Sequence, residues 1–150
     1  SLRRQRQMCI RDRYEIVPGI TSGIGSATYA GIPLTHRKYA SSVVFVTGHE
    51  DPEKNEEIVK WKKLAKSVDT IVIMMGLSRI GIISKQLIEG GMKKSTPVAV
   101  IQNGTTPKQK MIVGTLTSIA GKIKKEKMSP PANIIIGEVV KLHKTIGWKR

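Results

Sequence analysis

Four short blocks carry the residue types that could do chemistry: Thr21-Ser22, His36-Arg37, Thr47-Gly48-His49-Glu50 and Asn103-Gly104-Thr105-Thr106. Three of them fall between Val17 and Glu50, where turn-forming and polar residues sit beside apolar segments. That is the layout of a binding cleft rather than of a core. His49 follows a strand-like run, Ser41 to Thr47, and ligand sites of open α/β sheets collect beyond strand ends. With Glu50 and Asp51 beside it, His49 raises the question of a metal. Yet His36, His49 and His143 lie far apart, and none has a histidine two or four residues away, so a zinc site is not supported. A loop-capping role and a substrate contact both stay open for His49.

Other reaction classes find less support. The lone cysteine, Cys9, rules out an internal disulfide and a cysteine metal site. No strand–Gly-x-Ser-x-Gly–helix elbow is present to expose a nucleophilic serine. Gly19, Gly23 and Gly25 follow a strand-like Tyr14 to Val17, but Thr28 stands where a dinucleotide loop needs its third glycine. A turn followed by a closely packed helix of small residues explains them instead. Asn103-Gly104 reads as a two-residue hairpin turn between strands, or as a place where backbone approaches a ligand. Met74-Met75-Gly76, at the end of an apolar run, reads as core filler or as the wall of a ligand site.

The net charge is +15, which brings nucleic acid into consideration. The charge is spread, however, over Lys60, Lys62, Lys63 and Lys66 and over Lys122, Lys124, Lys125 and Lys127. One phenylalanine, three tyrosines and two tryptophans do not interleave with basic runs as base-stacking platforms require. A solvated lysine-rich surface is favoured, and attraction of a polyanionic small molecule is the other use for such a field. No apolar run approaches the roughly 20 residues that span a bilayer, no secretory signal is legible, and a cytoplasmic protein is expected.

The elements that must position these residues alternate along the chain. Strands are expected at Tyr14–Val17, Ser41–Thr47, Thr70–Met75, Pro97–Gln102, Lys110–Thr115 and Asn133–Val140. Helices are expected at Gly23–Ala30, Glu56–Ser67, Ser78–Glu89 and Leu116–Lys127, with Thr21 or Ser22 capping the first. The pattern predicts an α/β domain whose helices cover a largely parallel or mixed sheet. Residues 1–13 lack this regularity and are set apart as a foreign segment. Residues 31–39 form a connector, taken as a domain boundary.

The blocks together, rather than any one, resemble a known family. Val17-Pro18-Gly19-Ile20-Thr21-Ser22, Ala30-Gly31-Ile32-Pro33-Leu34-Thr35-His36-Arg37, Thr47-Gly48-His49-Glu50, Met75-Gly76, Pro97-Val98-Ala99-Val100-Ile101, Gly104-Thr105-Thr106-Pro107 and Gly137-Glu138-Val139-Val140 stand in order and at matching spacing. Residues 14–148 are similar throughout to the C-terminal part of the uroporphyrinogen-III C-methyltransferases, a branch of the tetrapyrrole methylases. The resemblance implies two α/β domains with S-adenosyl-L-methionine held between them. Residues 14–39 would be the tail of the first domain plus linker, and 40–150 the C-terminal αβα domain, a mixed sheet of about five strands flanked by helices.

The resemblance further implies methylation of uroporphyrinogen III to precorrin-2, through precorrin-1, in sirohaem and cobalamin synthesis by a homodimeric enzyme. Thr21, Ser22, Met75 and Gly104 match cofactor positions, with Pro97, Val98 and Ala99 flanking the adenine. His36, Arg37 and His49 would face the substrate. Arg37 could pair bidentately with one of its eight carboxylates. No metal is implied, and nucleic acid is not an implied partner. The family's first domain, with its Gly-rich cofactor loop and acid/base residues, has no counterpart here, so the chain alone is expected to be inactive. A basic nucleic-acid-binding or dimerisation module is the alternative.

Overall fold

A computed structural model describes residues 15–48 and 59–147. Its centre is a five-stranded sheet in the order β1-β2-β5-β3-β4. The strands are β1 (Val43–Thr47), β2 (Thr70–Met74), β3 (Pro97–Gln102), β4 (Lys110–Thr115) and β5 (Ala132–Ile136). β1 and β2 pair in parallel, and every other neighbouring pair is antiparallel. The α-helices are α1 (Ser22–Tyr29), α2 (Trp61–Ser67), α3 (Ile80–Glu89), α4 (Ile119–Lys125) and α5 (His143–Ile146).

The central strands are the most apolar because both faces are covered. Ile71, Val72 and Ile73 of β2 and Ile134, Ile135 and Ile136 of β5 are fully buried, and their β-branched side chains suit a pleated surface. Alternation divides the core in two. On one face Ile71, Ile73, Val98, Val100, Ile134 and Ile136 meet Trp61 of α2, Ile83 and Leu87 of α3 and Ile119 and Ile123 of α4. α3 follows the helical period, burying Ile80, Ile83, Ser84 and Leu87. On the other face Ala99, Ile101 and Ile135 meet Ala27, Ala30, Ile32, Ala40, Val139 and Val140. Helix α1 and the 31–39 connector thus share a core with the sheet.

Several boundaries differ from the sequence reading. Glu15 to Val17 form no strand, and Ile16 and Val17 are largely exposed. β5 ends at Ile136 rather than Val140, because Gly137 turns away at φ 147° and a 3-10 turn, Glu138–Leu142, follows. A Cβ at Gly137 would stand 2.7 Å from the Asp69 carbonyl oxygen, so only glycine fits there. α4 starts three residues late because Ser118 accepts a hydrogen bond from Thr115 N at 2.9 Å and closes a turn. α3 is preceded by a separate 3-10 turn, Leu77–Arg79. Of the expected helix Glu56–Ser67, residues 56–58 lie outside the described residues.

The two parallel strands start from one acceptor. Asp69 Oδ2 accepts from Ser41 N at 2.9 Å, Ser42 N at 3.1 Å, Ser41 Oγ at 3.1 Å and Ser42 Oγ at 2.9 Å. These bonds, the Ser41 amide first, hold the carboxyl below its ordinary pKa. A depressed folded-state pKa contributes stability that is complete above the ordinary value of about 4 and is lost as pH falls through the lower folded value. Asp69→Ala is therefore expected to denature earlier than wild type at pH 6. The two denaturation midpoints should converge towards pH 2, and an equal gap at both pH values would contradict this account.

Candidate functional site

β1, β2 and β3 point the same way and β5 runs against them. One end of the sheet therefore gathers the exits of three strands and the entry to β5. Across that end Met74 stands opposite Asn133, and Asn133 opposite Ile101. A cavity of about 1160 Å³ opens there, bounded by Ser22 and Ser26 of α1, Met75, the loop Asn103–Thr106 and residues of α3 and α4.

Helix α1 reaches this end because its residues are small. A Cβ on Gly23 would meet Val72 Cγ1 at 3.0 Å and Phe45 Cε1 at 3.1 Å. Asn133 ties the helix down. Its amide Nδ2 donates to Ser22 O and to Ser26 Oγ, both at 3.1 Å, and Ser26 Oγ donates to Ser22 O at 2.7 Å. Asn133 is buried, so these bonds satisfy an amide that would otherwise be costly there. Thr21 occupies the N-cap position without a capping side-chain bond. Its hydroxyl turns to the Met74 sulfur at 3.9 Å.

Two loops hold strained backbone against the cavity. Met75 has φ 55° and is 66% exposed. A left-handed conformation in a non-glycine residue costs about 1–2 kcal/mol and persists only where its surroundings impose it. Here the β1 and β2 exits cross closely. Gly48 N donates to Met74 O at 2.7 Å, and a Cβ on Gly48 would lie 2.4 Å from Gly76 Cα. On the other side Asn103 has φ 50° and Thr105 φ 69°.

The Asn103-Gly104 pair is not the two-residue hairpin turn that its sequence suggests. β3 and β4 do form an antiparallel pair, but a seven-residue loop, 103–109, joins them. Tertiary contacts shape that loop. Asn103 N donates to Pro131 O at 3.0 Å, and Thr105 N to Gln109 Oε1 at 2.8 Å. Gly104 is glycine because a Cβ would stand 2.4 Å from Ser26 Cβ. Its lack of a side chain lets the loop meet α1.

Of the expected cofactor residues, Ser22, Met75 and Gly104 converge on the cavity, with Thr21 beside them through Met74. Pro97, Val98 and Ala99 do not. They open β3 at the opposite end of the sheet and are buried, Val98 and Ala99 completely. The end of β3 that meets the cavity is Asn103. His36 and Arg37 are absent from the lining too. They lie in the loop before Ala40 and Ser41, on the side where β1 and β2 begin. His36 Nδ1 accepts from Lys38 N at 3.2 Å, and its ring packs on Tyr39 with centroids 5.1 Å apart. His49 lies outside the described residues. Asn133, Ser26 and Lys124, which the sequence reading did not select, also line the cavity. The only signal for Asn133 was a polar residue opening the apolar strand Ala132–Ile136.

Among the described residues no group of three or more His, Cys, Asp or Glu side chains could hold a metal ion. No described helix is long and apolar enough to cross a membrane.

An S-adenosyl-L-methionine-dependent uroporphyrinogen III methyltransferase of Methanosarcina barkeri is 47% identical over 137 residues, 91% of this chain and 54% of that protein. A siroheme synthase of Nitrosomonas eutropha is 48% identical over 135 residues, 90% of this chain and 28% of that protein. The crystal structure of a uroporphyrin-III C-methyl transferase from Thermus thermophilus, complexed with S-adenyl homocysteine, superposes with a TM-score of 0.70 at 33% identity. It covers 85% of this chain and 52% of its own. The chain thus spans about half the length of the methyltransferases and less of the synthase. The family profile of the tetrapyrrole (corrin/porphyrin) methylases matches residues 2–120, which takes in most of the segment set apart at the N-terminus. By that match, which takes in more than half of its residues, the chain belongs to the tetrapyrrole methylases.

Proposed function

We propose that this chain supplies one wall of the cofactor cleft in an S-adenosyl-L-methionine-dependent uroporphyrinogen-III C-methyltransferase. The parent enzyme converts uroporphyrinogen III through precorrin-1 to precorrin-2, for sirohaem or cobalamin. The observation that carries this reading is Met75, exposed in a left-handed conformation in a cavity lining that also holds Ser22 and Gly104. Strain of this kind collects where a ligand is clamped.

The lining fits the cofactor's chemistry. Ser22, Asn103, Thr105 and Thr106 bring polar groups suited to ribose and amino-acid groups to the lining, while Met75, Leu77 and Ile80 are apolar. When bound, S-adenosyl-L-methionine supplies an electrophilic methyl group on a sulfonium. The chain's own residues orient and shield. The Met74–Thr21 contact and the Asn133 bonds fix the α1 wall, and the apolar side chains keep water from the reacting pair. No carboxylate, imidazole or thiol lies among the described lining residues, so a proton leaving the ring is taken by a group outside this lining.

The matched methyltransferases are about twice as long as the match, which supports the further proposal that the 150 residues alone do not turn over. Calorimetric titration with S-adenosylhomocysteine is expected to show saturable, weak binding that tightens when a polypeptide covering the other half is added. Methylated product should form only in that mixture. Conversion of uroporphyrinogen III by the chain alone would refute the inactivity, and no binding in either sample would refute the cofactor site.

A further inference from the structure

Every polar hydrogen on the side chains of Asn133, Ser22 and Ser26 has a forced direction. Ser22 O is a carbonyl and can only accept, so the Asn133 atom 3.1 Å from it is the amide nitrogen. The same carbonyl, 2.7 Å from Ser26 Oγ, takes the Ser26 hydrogen. Ser26 Oγ therefore accepts the second hydrogen of Asn133 Nδ2, at 3.1 Å. That leaves the amide oxygen for Ser22, whose hydroxyl donates to it at 3.4 Å. Turning the Ser22 hydrogen to a ligand would strip Oδ1, on a buried residue, of its one donor among the described residues. A buried acceptor without a donor costs more than a hydrogen bond returns. Ser22, Ser26 and Asn133 all line the cavity. Their hydrogens are spent on one another, and what they offer a ligand is lone pairs.

We propose that Asn133 is a specificity-determining residue of the cofactor wall, acting through Ser22 and Ser26. The proposal rests on the methyltransferase reading above and deepens it. By drawing the hydroxyl hydrogens inward, Asn133 makes this corner of the cavity an acceptor of hydrogen bonds. It takes an N–H or O–H group of S-adenosyl-L-methionine, which the adenine amino group, the ribose hydroxyls and the α-ammonium group can each supply. The cofactor's carboxylate brings acceptors only and finds no partner on these side chains. A site built to receive a donor rejects an analogue that lacks it, because the site's own polar groups are then left unpaired. An apolar residue in place of Asn133 would continue the buried strand Ala132–Ile136 and leave the Ser22 hydroxyl free to donate or accept. The corner would then lose its preference.

The test uses the 150-residue chain, S-adenosylhomocysteine and its analogues. S-inosylhomocysteine replaces the adenine amino group by an oxo group, a second analogue lacks the α-ammonium group, and a third carries a dideoxyribose. Calorimetry should find that wild type loses about three- to tenfold in affinity for the analogue missing the relevant donor. In Asn133→Leu the same change of ligand should cost less than about twofold, since the corner no longer prefers a donor. Thr105→Ala, at a polar lining residue outside the cluster, should keep the wild-type discrimination. Nuclear magnetic resonance on the wild-type chain gives a readout that needs neither ligand nor variant. Both Asn133 side-chain amide hydrogens should exchange slowly with solvent. Rapid exchange overturns the proposal, as does equal discrimination in wild type and Asn133→Leu, or its loss in Thr105→Ala. Binding of S-adenosylhomocysteine with no discrimination against any analogue overturns the role of Asn133 alone. Slow exchange with no S-adenosylhomocysteine binding in any sample defeats the methyltransferase reading, and the assignment of Asn133 to cofactor recognition falls with it.

Discussion

Gly104→Ala is expected to lower the stability of the chain by about 1–3 kcal/mol and to weaken S-adenosylhomocysteine binding at least tenfold. The added methyl would stand 2.4 Å from Ser26 Cβ and 3.0 Å from Ser26 Cα. Neither partner can rotate away, because one is backbone and the other is fixed to it. Either the Asn103–Thr106 loop or helix α1 must move, and both are walls of the cavity. If about 1.4 kcal/mol of the strain is relieved by displacing the loop, rebuilding the bound geometry costs a factor of ten in affinity. Two controls separate this contact from glycine's general flexibility. Gly121, inside α4, has nothing within 4 Å of its absent Cβ, so Gly121→Ala should stabilise by about 0.5–1 kcal/mol. Ser26→Gly removes the nearer obstacle, so the double variant Ser26→Gly, Gly104→Ala should recover part of the loss. The size of that recovery measures the coupling between loop and helix. Denaturant midpoints and calorimetry on wild type, the three single variants and the double variant decide the matter, and additive losses in the double variant would disprove the contact.

What the sequence makes legible follows from which interactions are local. α3 could be read because Ile80, Ile83 and Leu87 recur at the helical period, and that period is a property of the segment itself. The runs Thr70–Met74, Pro97–Gln102 and Ala132–Ile136 could be read as strands covered on both faces for the same reason. Their order and direction could not. Covered strands of this kind suit a parallel sheet, yet β5 inserts between β2 and β3 and runs against both. That arrangement is decided by packing between segments some 30 to 60 residues apart in the chain.

The same limit governs the site. Ser22, Met75 and Gly104 converge as their blocks suggest, because each sits at an element boundary on the same end of the sheet. Pro97, Val98 and Ala99 lie at the end of β3 away from the cavity, and a single strand's sequence does not tell which of its ends adjoins a cavity. Asn103-Gly104 is a strong local turn signal, but Pro131 O and Ser26 impose a longer loop. Lys124 reads as one more lysine on a solvated face, and only the packing of α3 beside α4 shows that it lines the cavity.

The second large effect belongs to Gly48, whose block includes a histidine that looked more chemical. Gly48 is buried at the exit of β1, and its Cβ position lies 2.4 Å from Gly76 Cα and 3.2 Å from Gly76 N. The obstacle is backbone, so no rotamer change makes room. Gly48→Ala must separate the β1 and β2 exits, breaking the 2.7 Å bond from Gly48 N to Met74 O. Overpacking combined with a lost buried backbone bond predicts a loss of about 2–4 kcal/mol. A typical domain holds only about 5–15 kcal/mol. The consequence extends to function through Met75. Its left-handed backbone sits between Met74, whose carbonyl Gly48 holds, and Gly76, against which Gly48 packs. When that crossing opens, the cost of about 1–2 kcal/mol for a left-handed methionine is no longer imposed, and Met75 relaxes out of the cavity wall. Gly48→Ala should therefore lose S-adenosylhomocysteine binding even at temperatures where it remains folded. Met75→Gly supplies the converse, since glycine adopts that conformation freely. It should raise stability by about 1 kcal/mol while weakening binding through the lost side chain. If Gly48→Ala binds S-adenosylhomocysteine as wild type does while folded, the crossing does not hold Met75, and the strain at this strand end has another source.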